Sequence, residues 1–93
     1  MAQLSDSEIA DRLQGSLWSR SGATIERDWE LADFAAAIAF VNRVAEVAER
    51  VNHHPDILVH GWNRVRLVLS THSAGGLTGA DFALAEEIDR LSL

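Results

Sequence analysis

The stretch ATIERDWELADFAAAIAFVNRVAEVAERV, residues 23–51, changes its hydrophobic period part-way along. From Ala23 to Leu31, the apolar Ala23, Ile25, Trp29 and Leu31 alternate with Thr24, Glu26, Asp28 and Glu30, and Arg27 interrupts the apolar side. A period of two marks a strand with one buried face. Beyond it, Phe34, Ala37, Ile38, Val41, Val44, Ala45, Ala48 and Val51 fall on one helical stripe. Asn42, Arg43, Glu46, Glu49 and Arg50 make the opposing polar face, with Glu46 and Arg50 in the favourable i,i+4 order. Asp33 stands where a cap is needed, so the helix is expected over about 34–51. Phe40 and Val47 lie off the main stripe; they either widen the buried face or mark a subunit contact.

Upstream, Ser5 and Glu8 form a capping box, flanked by Leu4 and Ile9 at the staple positions. That first helix should run to Leu13 or Gln14 and stop at Gly15, with only a narrow apolar face. Leu17-Trp18-Ser19 reads as a short strand and Ser21-Gly22 as the turn into the strand of residues 23–31. Downstream, Pro55 disfavours helix in the residue before it, so the long helix ends near Asn52-His53-His54-Pro55. Two strands are expected from Ile57 to Trp62 and from Arg64 to Ser70, with a tight turn near Asn63. The run from Thr71 to Gly76 reads as a loop, and Thr78 with Asp81 caps a last helix, with Leu77 and Phe82 at its staple positions. The order helix, two strands, helix, two strands, helix implies an α+β two-layer domain, a four-stranded antiparallel sheet packed on helices. Residues 1–93 are expected to form this one domain, without repeats or linkers.

Composition narrows the function. With 47% hydrophobic residues the chain can build a core, and its net charge of -6 repels nucleic-acid phosphates. The chain has no cysteine, which removes disulfides, thiolate metal sites and a cysteine nucleophile, and fits a cytoplasmic location. The first residues have no signal-peptide pattern, and the apolar run from Phe34 to Val41 is too short to cross a bilayer. A soluble protein is expected.

All four histidines, His53, His54, His60 and His72, lie between positions 53 and 72. Histidine gives and takes protons near neutral pH. His53 and His54 sit where a helix meets a strand, and His72 where a strand enters a glycine loop. If the two hairpins pair into one sheet, both junctions can share one end of it, where loops carry sites. Taken singly, each histidine is more often a solvated or hydrogen-bonded residue, and His60, inside a strand, fits that reading best. Histidines with Glu49 or Asp56 would be a nitrogen–oxygen metal set, but no HExxH helix is present and neighbouring histidines point apart. Arg64 and Arg66 read as a solvated face rather than an anion site. Trp18, Trp29 and Trp62 read as packing, with Trp62 near enough to the histidines to be a ligand-stacking candidate.

Taken together, Ala48-Glu49, His53-His54-Pro55, Trp62-Asn63-Arg64-Val65, Ser70-Thr71-His72 and Gly76-Leu77-Thr78 with Asp81 carry a specific pattern. It extends upstream through Asp33-Phe34 and Arg43-Val44-Ala45. The pattern resembles the pterin-4a-carbinolamine dehydratase family, also known as the dimerisation cofactor of homeodomain transcription factors. The resemblance implies an α+β subunit that forms homodimers or homotetramers. It further implies dehydration of 4a-hydroxytetrahydropterin, the carbinolamine left by aromatic amino acid hydroxylases, with no metal or organic cofactor. His53 and His72 match the family's acid–base histidines and His54 its substrate-binding histidine. Glu49, Pro55, Ser70, Thr71 and Ser73 match the surroundings of the pterin, and Asn52 and Trp62 are added as substrate-binding candidates, Trp62 for stacking. Asn52 stands where several members carry Asp, and Trp29 and Leu31 replace phenylalanines. The segment 56–62 is one residue longer than the family pattern, so a bulge or a shifted turn is expected there. A protein-binding coactivator and an enzyme of a related pterin, as in molybdopterin metabolism, are the competing functions.

Overall fold

Capping chemistry sets where the helices start. In the computed structural model, which describes residues 2–91, Ser5 and Glu8 close the capping box at the start of α1 (Asp6–Leu13). The Asp33 side chain accepts from the Ala36 amide and opens α2 (Phe34–Val51). Thr78 and Asp81 close a second capping box on α3 (Gly79–Asp89). The strands are β1 (Ser19–Ser21), β2 (Thr24–Glu30), β3 (Asp56–His60) and β4 (Arg64–Leu69). They form one antiparallel sheet in the order β1-β2-β4-β3.

The sheet buries one side. Ile25, Val65, Leu67 and Leu69 are fully enclosed and meet the helices through Ala37, Phe40, Val44, Leu84 and Ile88. Trp29 joins the layers, edge-on to Trp18 at a ring separation of 5.7 Å and tilted against Phe40 at 4.9 Å. Arg27, which breaks the apolar alternation of β2, lies over the Trp29 ring at 4.5 Å and pairs with Asp89. Its charge is thereby compensated while its stem covers apolar surface.

The strand boundaries and one helix face differ from the sequence expectation, β2 only by one residue at each end. β1 lies at 19–21 rather than 17–19, because Trp18 is drawn into the core and its Nε1–H donates to Asp89 Oδ1. The hairpin loop is accordingly Gly22-Ala23, with the positive φ of 59° taken by Gly22. β3 covers 56–60 rather than 57–62, and β4 ends at Leu69. The β3–β4 register runs unbroken from Asp56↔Val68 to His60↔Arg64, so the longer segment makes a shifted turn, not a bulge. Gly61 and Trp62 take positive φ in that turn, and Asn63 Nδ2 anchors it to the Leu31 carbonyl. On α2, Phe40 and Val47 are core residues, whereas Phe34, Ile38 and Val51 face outward. Both edges of an apolar surface wider than one stripe were present; the sheet covers the Phe40 side.

Two carboxyls tie local structure to pH. The Ser5 amide hydrogen-bonds Glu8, and the Arg66 guanidinium hydrogen-bonds Asp28; each holds its carboxyl below the ordinary range. A lowered folded pKa contributes stability above the unfolded value, and that contribution is lost as pH falls through the folded value. The loss therefore begins below about 4.5 for Glu8 and 3.8 for Asp28.

Phe40→Ala is expected to cost about 3–5 kcal/mol in urea unfolding, and Phe34→Ala less than about 1 kcal/mol of subunit stability. Equal losses would contradict the assigned face of α2.

Candidate active site

Asn52 ends α2 in the left-handed region at φ 53°, a conformation asparagine tolerates, and its amide returns to the Ala48 and Glu49 carbonyls. The chain then reverses through His53-His54-Pro55 into β3. Since Asp56 pairs with Val68, the start of β3 and the end of β4 share one end of the sheet. Ser70, Thr71 and His72 leave β4 there, so the two histidine junctions converge as the topology suggested.

The two adjacent histidines face different ways. His53 turns inward, its side chain 17% exposed, and its Nε2 lies 2.6 Å from Oδ1 of Asp81, a fully buried residue. His54 turns outward, its Nε2 3.1 Å from the exposed Glu49 carboxylate. Pro55 and Ser70 are half-buried, Thr71 is buried, and Asn52, His72 and Ser73 are exposed.

Asp81 joins the junctions. Thr71 Oγ1 donates to Asp81 Oδ2 at 2.8 Å, and the Thr78 amide donates to the same oxygen at 3.0 Å. Thr71 has one hydroxyl proton and gives it to Asp81, so at 2.9 Å the Thr78 hydroxyl must donate to Thr71 Oγ1. Thr78 Oγ1 in turn accepts from the Ala80 amide at 3.2 Å. Each hydroxyl proton in this series of bonds thus has one acceptor. A carboxylate oxygen accepts, so this bond calls for a proton on His53 Nε2 and leaves Nδ1 outside it. The N-terminus of α3 adds its positive dipole end beneath the Asp81 charge. Among the described residues, no buried side-chain nitrogen or oxygen lacks a partner.

Beside His53 lies a groove of about 240 Å³, lined by Val51, Ala80, Ala83, Leu84 and Glu87. Its apolar floor and single acidic rim suit a flat ligand presented to a histidine. Trp62 is the site candidate that the structure sets apart. It stands 63% exposed in the β3–β4 turn, at the far end of the hairpin from His53 and His72. His60 shares that far end, in a cavity with Asp28, Glu30, Arg64 and Arg66, where Arg66 pairs with Asp28. Among the described residues no cluster of histidines and carboxylates could hold a metal ion. The residue missed by the search for titratable side chains is Asp81, which read as a helix cap. The signal lay in Asp81 being a capping carboxylate beside a loop already rich in hydroxyls.

Residues 2–91 match the family model described as pterin 4 alpha carbinolamine dehydratase. The chain belongs to this family. A protein of Nocardia farcinica, provisionally named a pterin-4-alpha-carbinolamine dehydratase, is 56% identical over 90 residues, covering 96% of this chain and 94% of that one. A protein of Chloroflexus aurantiacus with the same provisional name is 54% identical over 92 residues and 98% of both chains. A crystal structure from Brucella melitensis, described as a transcriptional coactivator/pterin dehydratase, superposes with a TM-score of 0.86 at 31% identity. It covers 94% of this chain and 95% of its own. The general activity attached to this pterin dehydratase family is that of a lyase removing water from a pterin carbinolamine.

Asp81→Ala removes the acceptor shared by His53, Thr71 and Thr78, and is expected to cost about 2–4 kcal/mol in urea unfolding. Glu49→Ala, at an exposed pair, should change stability by less than about 1 kcal/mol. An Asp81 variant as stable as wild type would contradict the assigned network.

Proposed function

We propose that this chain converts 4a-hydroxytetrahydropterin to quinonoid dihydropterin and water, with His53 and His72 sharing the acid and base roles. The observation that carries the reading is the hydrogen bond from His53 to buried Asp81, which also anchors the segment leading to His72. In the reaction the C4a–O bond breaks as a proton reaches the departing hydroxyl. The N5 lone pair forms the new C4a=N5 bond, and the N5 proton is lost. No electron is exchanged with an outside partner, so two positioned proton carriers suffice. Asp81 orients the His53 ring and stabilises the charge it gains, while Nδ1 handles the proton. His54, held toward solvent by Glu49, binds the pterin, with Asn52, Pro55, Ser70, Thr71 and Ser73 around it.

In this reading the substrate arrives from an aromatic amino acid hydroxylase, and the product returns to a reductase in the cytoplasm. Exposed Phe34, Ile38 and Val51 on α2, with Ile57 and Leu58 on the edge strand β3, support self-association into dimers or tetramers. No helix among the described residues is long and apolar enough to cross a membrane. The coactivator description of the Brucella melitensis protein favours a second reading, in which the exposed face of α2 receives another protein.

Stopped-flow dehydration of a synthetic 4a-hydroxytetrahydropterin tests the first. His53→Ala and His72→Ala are each expected to lower kcat by about 10²–10⁴-fold. A wild type no faster than buffer would overturn the reaction and leave the protein-binding reading.

A further inference from the structure

His72 sits on a loop that the sheet alone does not hold. Its base is closed by Thr71 and Gly76, whose backbones exchange hydrogen bonds at 3.0 and 3.3 Å. Within it, a 3₁₀ turn from His72 to Ala74 ends at Gly75, which takes the left-handed φ of 73°. The His72 ring is exposed, and among the described residues no hydrogen bond ties it to the core network that fixes His53. A proton carrier used once per turnover must still be held in place, because small misplacements lower the rate steeply.

A restraint comes from the segment before α1. Gln3 Nε2 donates to the Ala74 carbonyl at 2.7 Å, across 71 positions of sequence. The Leu4 amide donates to the Leu77 carbonyl at 2.9 Å, just beyond the loop. Leu4 packs on the core, and Ser5 then caps α1, so both ends of this short strap are anchored. The Gln3 side chain also lies flat on the loop glycines. A Cβ on Gly75 would stand 3.3 Å from its Nε2, and one on Gly76 would stand 3.0 Å from its Oε1 and 3.1 Å from its Cδ. Gly76 is outside the left-handed region, so its lack of a side chain leaves space for Gln3 rather than serving a strained turn.

We infer that Gln3 is a positioning residue for His72: its amide clamps the 3₁₀ loop and keeps the imidazole in its working place. The inference rests on the acid–base role proposed for His72. Gln3 touches no substrate, and acts only through the Ala74 carbonyl and the two glycines. A Gly76→Ala change would displace the same side chain from the other direction.

The test uses the full chain. Gln3→Ala, and Gln3→Glu, which keeps the shape but cannot donate, are each expected to lower kcat for the pterin substrate by about 5–30-fold, with KM within about twofold. Gly76→Ala should lower kcat similarly in wild type and add nothing in the Gln3→Ala background, since both act on one contact. Amide exchange at Gly75 and Gly76 should quicken in the Gln3 variants, while exchange in α3 stays at the wild-type rate. Wild-type kcat in Gln3→Ala, or full activity in Gln3→Glu, would overturn the clamp. So would additive effects of Gly76→Ala and Gln3→Ala. A wild type without dehydratase activity would overturn the assigned reaction; the exchange rates would still read the restraint on their own.

Discussion

The Asp81 carboxylate is the point on which both halves of the candidate site depend. It is fully buried, yet it accepts from the His53 ring, the Thr71 hydroxyl and the Thr78 amide. A buried charge without such partners would be costly; with them it fixes three segments in one arrangement. The partners come from the end of α2, the exit of β4 and the start of α3, so fold and site share one interaction. Removing it would leave the helices and strands with their own apolar packing but free the two histidine junctions from each other.

Why those segments meet follows from the order of the strands. β4 lies between β2 and β3, and its antiparallel pairing with β3 returns the chain to the end where α2 stopped. Asn52 in the left-handed region makes the reversal there, and the capping box of α3 brings its carboxylate under the same corner. One capping residue therefore has two tasks. It satisfies the Thr78 amide at a helix start, and it holds a histidine ring.

Much of this was legible in the sequence because local rules agreed with the global fold. The caps at Ser5, Asp33 and Thr78 gave helix starts, and the period change between Leu31 and Phe34 separated strand from helix. The convergence of His53, His54 and His72 followed from topology, since paired hairpins bring those junctions to one end. What could not be read were features set by tertiary choice. Phe40 and Val47 were as apolar as Phe34 and Ile38, and only the sheet's position decides which pair is covered. Trp18 left its expected strand because the core and Asp89 offered partners distant in sequence. Trp62 is close to the histidines along the chain but lies across the length of a hairpin in space. Asp81 carried a local explanation as a cap, which concealed its second partner, His53, 28 positions away.

The pairing of His53 with Asp81 makes a statement about one proton, and ¹⁵N NMR of the histidine rings reads it. With the wild-type protein at a pH where the rings are neutral, the His53 ring is predicted to carry its proton on Nε2, in a persistent hydrogen bond, with Nδ1 bare. A His53 ring protonated on Nδ1, or averaging between tautomers like an exposed histidine, would contradict the role given to Asp81.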